Sequence, residues 1–320
     1  MKRSTLFFII LFIAAFQIVK SQNITVNSNN FSDQELIEDI LFGTNCVENI
    51  VVNNTESGSF SNGELSYGYF NANNSGFPFS EGLVLSTGRL SNVPGPNNSL
   101  SDDDASGWNG DQDLENALGI NNTINSTIFE FTFVPQASSI NFRYLFASEE
   151  YRENNPFTCD FSDAFAFLIR VVGTQQYQNL ALVPGTNTPV LVTTVRPEIP
   201  GECEAINEEY FGQFNNLVSP INFNGQTAIL TAETDVIAGE TYEVKLVIAD
   251  EANFRYDSAV FIEANSFNVG VDLGQDQNLC EGETTNLQIE NDEAIAIRWF
   301  YEGQLINDTD NNINLSQDNS

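Results

Sequence analysis

Alternation of apolar and polar residues with a period of two runs through the middle of this 320-residue chain and commits it to β-structure. Phe129, Phe131 and Phe133 fall on one face of a strand while Ile128, Glu130 and Thr132 fall on the other. Ile140, Phe142, Tyr144 and Phe146 repeat the pattern with Asn141 and Arg143 opposite, and Tyr242, Val244, Leu246 and Ile248 repeat it opposite Glu243 and Lys245. Further candidate strands lie at 48–52, 65–70, 82–86, 163–172, 180–183, 189–193, 226–232 and 258–267, punctuated by Gly, Pro and Asn clusters such as 93–99. A single short helix is expected after Ser32. Ser32 and Glu35 have capping-box spacing, Leu36, Ile37, Ile40 and Leu41 form a stripe, and Gly43 stops it. Many short strands without βαβ alternation predict an all-β fold, an antiparallel jelly-roll-like β-sandwich over residues 23–268 with one short N-terminal helix.

Residues 1–22 read as a secretory signal peptide, with Lys2 and Arg3 ahead of an apolar run from Leu6 to Ile18. That run is shorter than the ~20 apolar residues a membrane span requires, so cleavage is expected and no direct membrane insertion after it. Export permits disulfides among Cys46, Cys159, Cys203 and Cys280.

Charge narrows the partners. Three of the 11 Lys and Arg lie in the leader, leaving 8 against 44 acidic residues, a net of −36. Such a surface repels phosphate backbones and anionic headgroups, which excludes nucleic acid as a partner. It suits hard cations, although solubility alone accounts for much surface acid. Histidine is absent from the chain. That removes Ser-His-Asp and Cys-His catalysis and every histidine-ligated metal site.

Two sets of carboxylates stand out. The first is Asp102-Asp-Asp-Ala-Ser-Gly-Trp-Asn-Gly-Asp-Gln-Asp113, whose oxygens fall at positions 1, 3, 5 and 12 of a calcium loop with Gly107 at position 6. Its candidate ligands are Asp102, Asp104, Asp111 and Asp113, against the plainer reading of a solvated acidic loop. The second set is Glu149, Glu150, Asp163, Asp250 and Asp257, all near strand ends. Carboxylates gathered there need neutralising, either by calcium or by Arg143, Arg152 and Arg255. A glycosidase pair, Glu149 or Glu150 with Asp163, is a third use of the same acids. Tyr151, Tyr177 and Tyr210 are candidates for stacking on sugars, or for core packing.

The order of several blocks resembles the choice-of-anchor L domain family. They are residues 82–88 (Gly-Leu-Val-Leu-Ser-Thr-Gly), 129–135, 142–151 (Phe-Arg-Tyr-Leu-Phe-Ala-Ser-Glu-Glu-Tyr), 163–167 (Asp-Ala-Phe-Ala-Phe), 179–187, 242–250 and 257–261 (Asp-Ser-Ala-Val-Phe). One departure is Glu243, where the family commonly has histidine after the tyrosine. The resemblance implies an exported, surface-attached protein of Bacteroidota type, often with Ig-like modules and a sorting or gliding motility-associated domain downstream, and no assigned catalysis. Cys159 with Cys203 is the preferred disulfide, since each lies beside a predicted strand and the family often carries cysteine at both places. Residues 271–320 resemble the N-terminal part of an Ig-like or PKD-like domain, a partial sandwich with Cys280 and Trp299 at its strand-B and strand-C positions; the chain then reads as a piece of a longer protein.

The expectation is a secreted or cell-surface adhesion module that is not an enzyme, with calcium as cofactor and an extracellular glycan or protein as ligand. The alternatives are a structural spacer without a ligand of its own, and a carboxylate-based glycoside hydrolase.

Overall fold

The computed structural model describes residues 23–43, 47–61, 63–136 and 138–270, and four strands between 284 and 316. Residues 1–22, read above as a signal peptide, Cys46, Cys280 and most of residues 271–320, read above as an Ig-like module, lie outside the described residues.

Among the described residues fourteen strands build the body: β1 (Thr25–Asn27), β2 (Val47–Glu56), β3 (Tyr67–Asn71), β4 (Glu81–Ser86), β5 (Thr123–Pro135), β6 (Ser139–Ser148), β7 (Ala164–Val171), β8 (Gln178–Asn179), β9 (Phe211–Phe214), β10 (Gly225–Thr227), β11 (Leu230–Asp235), β12 (Tyr242–Glu251), β13 (Ser258–Glu263) and β14 (Asn268–Gly270). They form two antiparallel sheets. The larger runs β1-β3-β4-β13-β6-β10-β9, with β11 and β14 also paired to β6; the smaller runs β2-β5-β12-β7-β8. The fold is therefore the all-β sandwich that the alternation predicts. At its N-terminal edge Ser32 and Glu35 form the expected capping box for α1 (Asp33–Glu35), which continues as a wider helical segment, Leu36–Phe42. Two of the expected strands do not form: 180–183 and 189–193 meet only in the isolated bridge Leu182 to Pro189.

The period-two faces meet as expected. Phe129, Phe131 and Phe133 of β5, Phe165 and Phe167 of β7, and Val244, Leu246 and Ile248 of β12 pack against Phe142, Tyr144 and Phe146 of β6 and Val260 and Ile262 of β13. The rings close on one another, Phe142 and Phe167 at 4.3 Å and Tyr144 and Phe167 at 5.0 Å between centroids. Burial does not stop there. Leu145, Ala147, Ala259 and Phe261 turn outward from the large sheet beneath Phe77, Phe79, Ile221 and Phe223. Ile128, Ala164, Ala166, Leu168 and Val247 turn outward from the small one beneath Leu114. Leu114 belongs to α2 (Gln112–Leu118), which Asp111 caps by accepting the Leu114 N–H at 2.7 Å. The central strands are thus buried on both faces, which explains why 144–147, 164–168 and 259–262 are apolar without alternation.

Beyond the body, β15 (Thr284–Gln288) pairs antiparallel with β18 (Asn312–Ser316), and β16 (Trp299–Tyr301) with β17 (Gln304–Asn307).

Candidate functional site: a buried carboxylate cluster

Register places the second acidic set. β13 pairs with β6 so that Ser258 lies opposite Ser148, which sets Asp257 beside Glu149; the Glu149 N–H donates to the Asp257 carbonyl at 3.0 Å. β12 pairs with β7 so that Ala249 lies opposite Ala164, which sets Asp250 beside Asp163. The two pairs come from different sheets, yet they share one end of the sandwich. Ser258 Oγ donates to Asp163 Oδ2 at 2.6 Å and joins them. Five carboxylates distant in sequence are therefore gathered in a buried site, with Asp163, Asp250 and Asp257 at 1% exposure or less, Glu149 at 1% and Glu150 at 6%.

Their partners are mostly neutral. Ser101 donates its N–H to Glu149 Oε1 at 3.0 Å and its hydroxyl to Asp257 Oδ2 at 2.5 Å, and the Asp103 N–H reaches Asp257 at 3.2 Å. Asn125 Nδ2 donates to Asp250 Oδ2 at 3.2 Å. Among the described residues none of the five carboxylates makes a salt bridge. The arginines offered as competing partners are occupied elsewhere: Arg143 meets Glu263 at 2.7 Å, and Arg255 lies 3.8 Å from Asp102. Arg152 stacks over Tyr256 and Phe157, 4.0 and 5.2 Å from the ring centres. Burial accordingly pushes Glu149 up to about 8, against the Ser101 hydrogen bond and the more distant Arg152 charge. Burial, then repulsion from acidic neighbours, holds Asp163 and Asp250 well above the usual carboxylate range, and burial raises Glu150 and Asp257 as well.

Two oxygens in this cluster, Asp250 Oδ1 and Glu150 Oε2, are buried without a hydrogen-bond partner. Among the described residues no group of three or more acidic or cysteine side chains is arranged to hold a metal ion.

The first acidic set is not brought together. Asp111 Oδ1 caps α2, and its Oδ2 and Asp113 Oδ2 lie 3.0 and 2.5 Å from the Lys245 ammonium, which also meets Glu130 at 2.8 Å. Asp102 faces Arg255, and Asp104 is exposed. The four residues expected to form a calcium loop, Asp102, Asp104, Asp111 and Asp113, thus do not share a site in this structure: the helix start and one buried lysine use the oxygens of Asp111 and Asp113, while Asp102 and Asp104 lie apart from them. The residue of this loop that does serve the cluster is Asp103. Its carboxylate holds Arg89 at 2.9 Å while its N–H bonds Asp257.

Of the candidate stacking tyrosines, Tyr151 is buried with its hydroxyl on the Val195 carbonyl, and Tyr177 lies against Arg170 and Glu243. Exposed rings occur instead at Phe157 and Phe161, on the segment whose Thr158 hydroxyl bonds the Glu150 carbonyl, and at Phe254. Phe157, Phe161 and Phe254 are 38, 47 and 41% exposed, with Phe157 5.4 Å from Phe161 and 6.2 Å from Tyr256. Phe254 lies in the separate connection between β12 and β13, whereas the segment carrying Phe157 and Phe161 is tied down by the Cys159–Cys203 disulfide, which joins Cα atoms 6.0 Å apart. A hollow of about 290 Å³ lined by Tyr151, Arg152, Glu153, Phe214, Asn215 and Asn224 adjoins them through Arg152. Sequence alone could not single out Phe157 and Phe161, since nothing in their spacing separates an exposed ring from a core one.

The family model for the choice-of-anchor L domain matches residues 25–268. No curated protein matches the chain. Among the described residues no helix is long and apolar enough to cross a membrane.

Proposed function

The chain belongs to the choice-of-anchor L family, and from that premise we propose that it is a non-enzymatic binding module of a secreted or cell-surface protein that takes a neutral glycan at the loop end of its sandwich. The observation that carries this reading is the pair of exposed rings, Phe157 and Phe161, beside Arg152 and Tyr256. Exposed ring faces stack on sugar rings, and the polar side chains of Glu153, Asn155 and Asp160 on the same loop offer hydrogen bonds to hydroxyls. The disulfide holds that loop in advance, which lowers the ordering cost of binding. Net charge weighs against an acidic protein as partner.

Burial weighs against the glycoside hydrolase. A retaining or inverting pair must flank a cleft that admits substrate, whereas Glu149 and Asp163 are each 1% exposed. Release of reducing ends from the bound glycan would revive it.

The test is a glycan array together with whole-cell attachment, comparing the protein with its Phe157→Ala/Phe161→Ala variant. Binding that falls by about tenfold or more in the variant supports the reading. Binding to protein targets alone replaces the glycan with a protein ligand. No binding above background leaves the spacer.

A further inference from the structure

The hydrogen bonds of the cluster divide it into a satisfied half and an unsatisfied one. Asp257 and Glu149 are served by the 101–103 loop, through the Ser101 N–H, the Ser101 hydroxyl and the Asp103 N–H. The other half is poorly served. Asp163 Oδ2 accepts the Ser258 hydroxyl, but its Oδ1 meets only the Glu251 N–H at 3.4 Å. Asp250 is neighboured by the Thr87 and Asn125 side chains, Asn125 donating to Oδ2, but its Oδ1 has no hydrogen-bond partner although the residue is fully buried. Glu150, 6% exposed, is neighboured by the Asp163 N–H, but its Oε2 has no hydrogen-bond partner.

Buried polar atoms are nearly always matched by a donor, a water or an ion. Here both orphans are carboxylate oxygens, both side chains press electrostatically on Asp163, and among the described residues no salt bridge reaches any of the three, the Arg152 charge bearing on Glu150 only from beyond ion-pair distance. A cation answers all of these observations at once.

We infer that a calcium ion is held where Glu150, Asp163 and Asp250 meet, pinning the end of β12 and the start of β7 to the turn that follows β6. Asp250 Oδ1 and Glu150 Oε2 are its first two ligands, and Asp163 Oδ1 is the third oxygen within reach of the same negative field. Among the described residues no three such side chains are grouped closely enough to hold an ion by themselves, so the carboxylates must draw in on binding and other oxygens must complete the shell. Calcium tolerates this, because it takes six to eight oxygens in flexible geometry and completes the number with water and neutral oxygens; magnesium demands a strict octahedron and gives up water reluctantly. The inference goes beyond glycan binding and does not depend on it, since it concerns a buried site read by stability and metal content.

The experiment starts from chelator-treated, desalted protein, with calcium chloride titrated in calorimetry and in thermal melts at one fixed pH. One calcium per chain is expected, with a melting temperature raised by roughly 5–10 °C at a hundredfold excess over Kd. Asp250→Asn and Glu150→Gln should each weaken binding at least about tenfold, while Asp104→Asn on the exposed loop should leave it unchanged. No heat and no shift in the unsubstituted protein overturns the inference. So does a calcium response that survives both cluster variants, or one lost with Asp104→Asn. Should Asp250→Asn fail to fold, Glu150→Gln at the rim and the titration of the unsubstituted protein decide the matter.

Discussion

Ser258 donates its hydroxyl to Asp163 Oδ2 at 2.6 Å, and this bond ties the large sheet to the small one at the end where their acids converge. Ser258 opens β13, and Asp163 immediately precedes β7. A second stitch lies close by, where Thr127 of β5 donates to the Ser86 carbonyl of β4 at 2.6 Å. Apolar packing holds the middle of the sandwich, whereas buried hydroxyls and carboxylates hold this end. Ser258→Ala removes the best donor to a fully buried carboxylate and should cost about 1–3 kcal/mol in urea unfolding with an unchanged slope. A loss below about 0.5 kcal/mol would mean that the bond does not hold the sheets together.

Gly88 follows β4 and ends the Gly-Leu-Val-Leu-Ser-Thr-Gly block. A Cβ at this position would come within 1.9 Å of Asp257 Oδ2. That carboxylate is fixed by Ser101 and Asp103 and cannot swing aside without losing both. Gly88→Ala should therefore destabilise the fold by about 1–3 kcal/mol, as overpacking does. Combined with Asp257→Ala, which vacates the space, it should cost measurably less than the sum of the two single changes. Strict additivity would separate the glycine from the cluster.

The disulfide closes a loop with a sequence separation of 44. The chain-entropy model gives such a cross-link about 4 kcal/mol at most. Cys159→Ser/Cys203→Ser should lower stability by about 2–4 kcal/mol and speed amide exchange at Thr158 and Phe161, whose N–H groups bond within the same loop. Unchanged exchange there would show that Thr158, buried with its hydroxyl on the Glu150 carbonyl, anchors the loop without the bridge.

The strands were legible because a half-buried strand writes its geometry as alternation, and β5, β6 and β12 do so over most of their lengths. The cluster was legible for a related reason. Acids at the ends of strands that must pair antiparallel are brought to a common edge by register alone. Local chemistry with two physical solutions was not legible. Asp111-Gln-Asp113 closes the calcium spacing that begins at Asp102, but with the residues up to Gly119 it is equally an N-cap, acidic first turn and glycine stop. The structure takes the helix because Leu114 then covers the outer face of the small sheet. Its partner Lys245 was read only as the polar side of a strand. Nothing in a period of two tells a solvated lysine from one buried beneath a helix.

Lys245 is 5% exposed and serves Asp111, Asp113 and Glu130 together. Lys245→Met should cost about 2–3 kcal/mol, short of the full range for a broken buried pair because the Asp113 side chain is 42% exposed. Burial by itself would lower the pKa of this ammonium; hydrogen bonds to Asp113, Glu130 and Asp111 outweigh that and raise it above the ordinary 10.5. Tyr67 is pushed from 10.0 up to about 12, chiefly by burial. Both groups bind their proton more tightly when folded. Their stabilisation is therefore complete below their unfolded values and disappears as pH climbs through the folded ones. From pH 9 upward the melting temperature should hold nearly level to about pH 10 and then fall. In Lys245→Met the curve should start lower and fall less steeply, retaining the tyrosine contribution. A variant curve parallel to that of the unsubstituted protein above pH 10 would show that the lysine proton is not coupled to folding.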